Sequence, residues 1–130
     1  MVSKLEFLCD AIAEYSGSHD PRSEAYRFRN PLGLREKEVI RDQEGNLVSI
    51  KFGQLRHFRS WVHGYEAALF DLKVKCSGRN RGLSQGSSIA ELLTAYGMNG
   101  QSAHNVANYL KFALEDDGIT QETQLSVFLR

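Results

Sequence analysis

The chain has 130 residues, a hydrophobic share of 42% and a formal net charge of zero. This length predicts a single domain over residues 1–130 with one continuous core. Zero net charge argues against nucleic acid or an anionic membrane as the partner, because the chain as a whole attracts neither. The apolar stretches are too short to cross a bilayer and no signal-peptide pattern opens the chain, which predicts cytoplasmic synthesis.

The first predicted element is a helix from Lys4 to Ser16. Ser3 and Glu6 have the spacing of a capping box, and Gly17 is typical of the residue that follows a helix end. The apolar positions of this helix follow a helical period and form one stripe, which comprises Leu5, Leu8, Cys9, Ile12 and then Tyr15 or Ser16.

A long loop and a hairpin are predicted next. Residues 17–35 contain both prolines and no sustained period, and loops of this length are often functional. Two short β-rich runs, 38–42 and 47–52, are separated by the turn-forming residues 43–46 and are interpreted as a hairpin.

Three further helices are predicted after the hairpin. The first follows Ser60 and ends near Cys76, and its predicted inward face comprises Trp61, Tyr65, Ala68, Leu69, Leu72 and Cys76. The second begins at a Ser88–Glu91 capping box, and the third ends before Gly118. A short apolar tail, 125–129, is expected to dock on the core. The predicted class is α+β, mainly helical, with a small hairpin and about four to five helices.

The sequence predicts no metal site and no phosphate-binding loop. The four histidines have no metal-site spacing; they are His19, His57, His63 and His104. Cys9 and Cys76 occupy apolar helical positions without a Cys-x-x-Cys pattern, so they are interpreted as reduced thiols in the core. The glycine-rich connector 78–88 lacks the Gly-Lys-Ser/Thr end of a phosphate loop.

Residues 22–35 interleave arginine with aromatic side chains, in the order Arg22, Tyr26, Arg27, Phe28, Arg29 and Arg35. This pattern can hold nucleic acid by phosphate pairing and stacking. It can equally line a groove for sugars or carboxylates, because a guanidinium donates bidentate hydrogen bonds, or fix a long loop to the domain. The zero net charge and the acidic residues Glu36 and Glu38 disfavour nucleic acid.

Five segments occur in an order that is similar to one protein family: AIAEYSG, AYRFRNPLGLR, FRSWVHGYEAAL, ELLTAYG and NVANYLKFALEDDGI. They resemble the small phage-type lysozyme-like domain, a lytic transglycosylase or muramidase marked by an Arg-Asn-Asn-Asn-Pro-Gly-Asn-Leu motif. Four positions of that motif match, namely Arg27, Asn30, Pro31 and Leu34. The resemblance extends over residues 5–119. It implies a lysozyme-like fold, a peptidoglycan glycan strand as the ligand and no cofactor.

The family's catalytic glutamate, which precedes the glycine after the first helix, falls on Ser16. Cleavage of this type needs a carboxylic acid that protonates the leaving group, and a serine hydroxyl cannot replace it. On a helical wheel Ser16 lies within about 20° of Leu5, whereas Glu14 lies about 180° away and is expected to face solvent. The other candidate carboxylates are loop or hairpin residues: Asp20, Glu24, Glu36 and Glu38.

The resemblance therefore implies Ser16 at the catalytic position, and the candidates to replace the missing glutamate are Glu14, from the same helix, and Glu24, from the loop. The expected groove residues are Tyr26, Arg27, Asn30, Trp61 and Tyr65. Two functions stay open. A lysozyme-like domain related to phage peptidoglycan-degrading proteins would bind or cleave a glycan strand or another elongated ligand, and would reach it from a virion or after phage lysis. A non-enzymatic virion structural or protein-interaction module, with a protein partner, is the alternative.

Overall fold

A computed structural model describes residues 3–17, 20–78, 82–98 and 100–130. The described residues form five α-helices, a two-stranded antiparallel sheet and a C-terminal 3₁₀ helix. In chain order they are α1 (Lys4–Tyr15), α2 (Glu24–Arg27), β1 (Arg35–Arg41), β2 (Leu47–Leu55), α3 (Trp61–Cys76), α4 (Ile89–Ala95), α5 (Gly100–Ala113) and the 3₁₀ helix (Leu125–Leu129). The predicted α+β, mainly helical class with a small hairpin is confirmed.

Serine caps explain where four of the helices begin. In each, the hydroxyl oxygen accepts a hydrogen bond from the backbone N–H three residues further on; the caps are Ser3, Ser23, Ser60 and Ser88. A full capping box is present at α4, where the Ser88 N–H also donates to the Glu91 carboxylate at 3.3 Å. The box predicted at α1 is only half formed, because the Glu6 carboxylate contacts the Ser3 hydroxyl at 3.3 Å instead.

Two further expectations are corrected. The predicted loop 17–35 contains the one-turn helix α2, which Ser23 caps and in which Glu24 occupies the favourable first turn. Trp61 does not face inward but is 39% exposed. The buried face of α3 runs instead through Gly64 and the positions that follow it at four-residue intervals: Ala68, Leu72 and Cys76.

The core lies among α1, α3, α4, α5 and the 3₁₀ helix. Its fully buried large side chains include Leu8, Ile12, Leu72, Leu92, Leu93, Leu110, Leu125 and Phe128. The tail thus docks on the core as predicted. Cys9 and Cys76 are buried free thiols, also as predicted. Burial raises the pKa of Cys9 to about 12 and that of Cys76 to about 11.

The hairpin pairs Arg35 with Leu55 at its base and Arg41 with Leu47 at its tip, and register shifts interrupt the ladder near both ends. Beyond the base, the Arg56 N–H donates to the Leu34 carbonyl at 2.9 Å. None of the hairpin residues with a described side chain is buried. In the described part of the chain, no helix has the length and apolar character needed to span a membrane.

Candidate functional site

A cleft of about 520 Å³ lies beside the C-terminal end of α1. Three parts of the chain form its walls: the end of α1 with the start of α2, the loop 30–33 with the end of β2, and the turn between α4 and α5. The lining residues are Ile12, Tyr15, Ser16, Ser23, Glu24, Ala25, Asn30, Leu32, Gly33, Leu55, Tyr96, Gly97, Met98 and Ser102. The position that the resemblance assigns to a catalytic glutamate is therefore part of this cleft.

Ser16 connects the end of α1 to the opposite loop. Gly17 has φ 89°, a left-handed conformation that suits glycine and ends the helix. The Ser16 hydroxyl lies 2.7 Å from the Pro31 carbonyl oxygen and 2.9 Å from that of Ala13. Since a hydroxyl carries one proton, these two carbonyls share a single donor. The lone pairs of Ser16 Oγ remain able to accept a hydrogen bond from a ligand.

Asn30 fixes the loop that forms the second wall. Its side chain is 1% exposed. The amide nitrogen Nδ2 donates to the carbonyls of Leu34 at 2.8 Å and Arg56 at 3.0 Å, and Oδ1 accepts from the Leu34 N–H at 2.9 Å. Both amide hydrogens are thus used within the protein. Asn30 borders the cleft but acts as a positioning residue for the loop and the base of the hairpin.

The sequence did not predict the third wall of the cleft, which is the turn between α4 and α5. Its residue Tyr96 does lie in one of the segments that carry the resemblance. The Tyr96 hydroxyl donates to Asp71 Oδ2 at 2.6 Å, and Lys75 Nζ contacts the same oxygen at 2.5 Å. Lys75 Nζ also lies 4.8 Å from the centre of the Tyr96 ring. Burial, together with the Asp71 carboxylate, raises the pKa of the Tyr96 hydroxyl. Tyr96 therefore stays a neutral phenol that attaches the turn after α4 to α3.

Among the described residues, Glu24 is the only carboxylate that lines the cleft. It is exposed in the first turn of α2. Glu14 is exposed and outside the lining, as the helical wheel predicts. Asp20 is hydrogen-bonded by the Arg22 backbone N–H and side chain, which lower the pKa of its carboxyl. The described lining of the cleft thus contains one carboxylate and not the pair that glycoside cleavage ordinarily uses.

The other expected groove residues lie elsewhere. The Tyr26 and Trp61 rings meet edge to face, with their centroids 5.9 Å apart. The Tyr65 hydroxyl donates to Asp10 Oδ1 at 2.8 Å, between α3 and α1. Arg27 extends over the ring of its neighbour Phe28. The structure thus brings Ser16, Glu24 and Asn30 together, and separately pairs Tyr26 with Trp61.

Within the described ranges, no three histidine, cysteine or acidic side chains come close enough to hold a metal ion. His57 stacks on Phe28, and His63 Nδ1 lies 3.2 Å from the Ser60 hydroxyl. His104 Nε2 lies 3.2 Å from the Asn108 amide nitrogen. His19 lies outside the described residues.

No family model, curated protein or solved structure matches this chain. The lysozyme-like resemblance therefore rests on the five sequence segments and stays a prediction. The described lining of the cleft offers a ligand a serine hydroxyl held by two carbonyls, one exposed carboxylate, and apolar side chains from three directions.

Proposed function

We propose that this chain is a lysozyme-like domain, related to phage peptidoglycan-degrading proteins, whose cleft binds a glycan strand without cleaving it. We propose further that it meets this ligand from a virion or after phage lysis. The proposal depends above all on Ser16. This residue occupies the catalytic position of the family that the chain resembles, and it lines a cleft in which its hydroxyl donates to the opposite loop.

The size and lining of the cleft support a ligand of this class. Its volume of about 520 Å³ falls in the range of small-molecule sites, which combine apolar walls with a few polar groups that orient the ligand. Here Leu32, Leu55 and Met98 supply apolar surface, while Ser16 Oγ and the Glu24 carboxylate can accept hydrogen bonds from sugar hydroxyls.

The carboxylates of the cleft support binding rather than cleavage. Retaining and inverting glycosidases place two carboxyl groups on either side of the scissile bond, one of them as the proton donor. Only Glu24 is available among the described lining residues, and it is exposed. The hydroxyl of Ser16 is already used to hold Pro31, and it cannot protonate a leaving group at neutral pH.

The binding test is an NMR titration of the full chain with oligomers of N-acetylglucosamine. Saturable shifts are expected at the backbone amides of Ser16, Gly33 and Gly97, which line the cleft. Glu24→Gln should weaken binding, because a neutral amide accepts more weakly than a carboxylate. Glu44→Gln, which removes an exposed carboxylate in the hairpin turn, is the matched control and should bind like the parent.

The cleavage test measures soluble fragments released from purified peptidoglycan by the parent, Glu24→Gln and Ser16→Glu. The parent and Glu24→Gln should release nothing. Release by Ser16→Glu alone would support a cleft that holds the strand but lacks its acid. If the parent releases fragments and Glu24→Gln does not, the non-cleaving function is wrong and Glu24 is the acid.

A second candidate function, a protein-interaction module, is favoured by one surface. Phe112 is 86% exposed on α5 and borders a shallow hollow together with Tyr15 and Tyr109. Apolar surface of this kind is typical of interaction sites. If it serves such a role in self-association, Phe112→Ser should lower the mass that light scattering reports at high protein concentration. A monomeric mass for both the parent and Phe112→Ser would show that this surface does not mediate self-association.

A further inference from the structure

Two segments far apart in the sequence, 26–30 and 56–64, lie side by side. The Phe58 N–H donates to the Phe28 carbonyl at 2.9 Å, and the Phe28 and His57 rings stack with their centroids 3.7 Å apart. The Arg29 carbonyl faces Gly64 so closely that a Cβ added there would lie 1.8 Å from its oxygen. These contacts hold the start of α3 against the loop after α2.

The two segments together form what we call the cationic-aromatic face. Its members, apart from Phe28 and Phe58 beneath, are exposed: Tyr26, Arg27, Arg29, Arg56, His57, Arg59 and Trp61. Residues 25–30 and 54–65 contain no acidic side chain. In the described part of the chain none of these four arginines forms an ion pair. Arg27 and Arg56 instead lie over aromatic rings, at 5.7 Å from the Phe28 centroid and 4.7 Å from that of Phe58.

The charge of the chain is unevenly distributed along its length. Residues 27–63 contain eight lysines and arginines and four acidic residues, a net charge of +4, so the remainder carries −4. Zero net charge thus conceals a basic middle segment. Because electrostatic attraction acts over about one Debye length, roughly 8–10 Å, a bound anion responds to the local charge and not to the total.

The aromatic side chains of this face are open to planar ligands. Trp61 and Tyr26 are 39% and 41% exposed, and their edge-to-face contact, with an interplanar angle of 64°, leaves ring surface uncovered on both. Unpaired bases stack on exposed aromatic rings irrespective of their sequence, whereas the bases of a duplex are covered by their neighbours.

We propose that the cationic-aromatic face binds single-stranded nucleic acid. The guanidiniums of Arg27, Arg29, Arg56 and Arg59 pair with backbone phosphates, while Trp61 and Tyr26 stack with bases. A neutral glycan would leave these charges uncompensated. The face includes none of the residues that line the cleft, so this proposal is independent of glycan binding there.

The first measurement uses the fluorescence of Trp61, the only tryptophan of the chain. An oligothymidylate of about fifteen nucleotides, a length within the range that single-strand sites cover, should quench it saturably. Inorganic polyphosphate carries the charge without the bases and should not quench it. Equal quenching by polyphosphate, or quenching by N-acetylglucosamine oligomers alone, would overturn the proposal, as would the absence of any response at low salt.

The second measurement is the affinity for a labelled oligothymidylate by anisotropy. Trp61→Ala should weaken binding about tenfold, the effect of losing one stacked base, whereas Phe70→Ala removes an exposed ring elsewhere on α3 and should change nothing. The double variant Arg27→Gln/Arg56→Gln should reduce the slope of log K against log salt by about 1.4. Arg41→Gln, at the hairpin tip, should leave it unchanged. An affinity that is the same in all these variants, or equal for a duplex, refutes the proposal.

Discussion

At the scale of single residues, Gly64 and Asn30 hold the loop beside the cleft. Gly64 allows the Arg29 carbonyl to approach α3, and Asn30 bonds three backbone groups around the base of the hairpin. Arg29 itself has φ 53°, a left-handed conformation that is costly for a residue with a Cβ and that the surrounding contacts stabilise. Gly64 lies against the backbone of Arg29 and Asn30 bonds the backbone of Arg56, so both residues support the cationic-aromatic face, and Asn30 also lines the cleft.

Gly64→Ala should destabilise the protein by about 3 kcal/mol. Alanine is favoured over glycine inside a helix by up to about 1 kcal/mol, but the added Cβ would lie 1.8 Å from the Arg29 oxygen and would force the loop away. Gly100→Ala is the matched control, because no atom lies within 4 Å of its Cβ position, and it should be neutral or slightly stabilising. Urea unfolding measures both; equal stabilities would contradict the close approach.

Asn30→Ala should cost roughly 2–4 kcal/mol, since the Leu34 N–H and the Arg56 carbonyl lose their partners and the Leu34 carbonyl keeps only the Arg56 N–H. Asn108→Ala changes an exposed asparagine on α5 and should stay within about 0.5 kcal/mol of the parent. Thermal unfolding followed by circular dichroism compares them. A loss for Asn30→Ala as small as that for Asn108→Ala would mean that water replaces these bonds.

At the scale of elements, the C-terminal 3₁₀ helix is short but contributes strongly to the core. Leu125 is fully buried, and the Leu125 N–H donates to the Ser87 carbonyl at 2.8 Å, beside the cap of α4. The backbone of Ile89 also donates to Thr123, at 3.1 Å. The tail and the start of α4 thus support each other through both main chain and side chains.

Phe128→Ala should destabilise the protein by about 3–5 kcal/mol, the usual effect of removing a fully buried aromatic side chain. Leu129→Ala, one residue further in the same 3₁₀ helix but 37% exposed, should cost less than about 1 kcal/mol. Chemical unfolding of the two variants gives the comparison. Similar losses at both positions would show that the tail does not dock as described.

The elements that the sequence predicted well are those whose signals are local. The helices α1, α3 and α4 have a cap and a period that run along the chain itself, and the hairpin has a turn between two β-rich runs. The single turn of α2 is too short to show a period. The buried face of α3 includes Gly64, which lies against the Arg29 carbonyl 35 residues earlier in the chain, and no local pattern contains that contact.

The candidate site was predictable only in part, for the same reason. The wheel predicted that Glu14 lies in solvent, and Glu14 is exposed; Ser16, predicted among the inward-facing positions, is half-buried and lines the cleft. Tyr96 is held in the wall of the cleft by Asp71 from α3, which Lys75 also contacts. This contact joins the turn after α4 to α3, and the spacing of residues along the sequence does not reveal it. Tyr65 does not line the cleft. Its hydroxyl instead donates a part-buried hydrogen bond to Asp10, as tyrosines packed between helices often do.

At the scale of the whole molecule, alkaline pH should unfold the protein through its buried thiols. Cys9 and Cys76 keep their protons in the fold up to about pH 12 and pH 11, whereas in the unfolded chain they lose them from an ordinary value of about 9. Above about pH 9 the unfolded state therefore binds fewer protons, and the free energy of unfolding falls by up to about 1.4 kcal/mol per pH unit for each thiol. Below about pH 8 both thiols are protonated in the folded and in the unfolded state, so they do not change the free energy of unfolding with pH.

Urea titrations at about pH 8, 9 and 10 measure this slope; Tyr65 and Tyr96, whose pKa values burial raises above the ordinary value of about 10, add to it at the upper end of this range. The double variant Cys9→Ala/Cys76→Ala is less stable throughout because the core loses volume, but its slope above about pH 9 should be flatter. A slope identical to that of the parent would show that other groups cause the alkaline loss.

The exposure of the hairpin has a consequence for how the molecule opens. None of its described side chains is buried and two-stranded sheets are marginal by themselves, so β1 and β2 rest on their shared ladder and on their base at Leu34 and Arg56. The ladder can separate without disturbing the helical core. Hydrogen–deuterium exchange should therefore resolve two classes of amide: hairpin amides that exchange through frequent local separation, and amides of α1 and α3 that wait for global unfolding. The hairpin is thus a unit with its own, lower stability, and among the described strands and the helices of the core its peptide bonds are the ones that a protease should reach first.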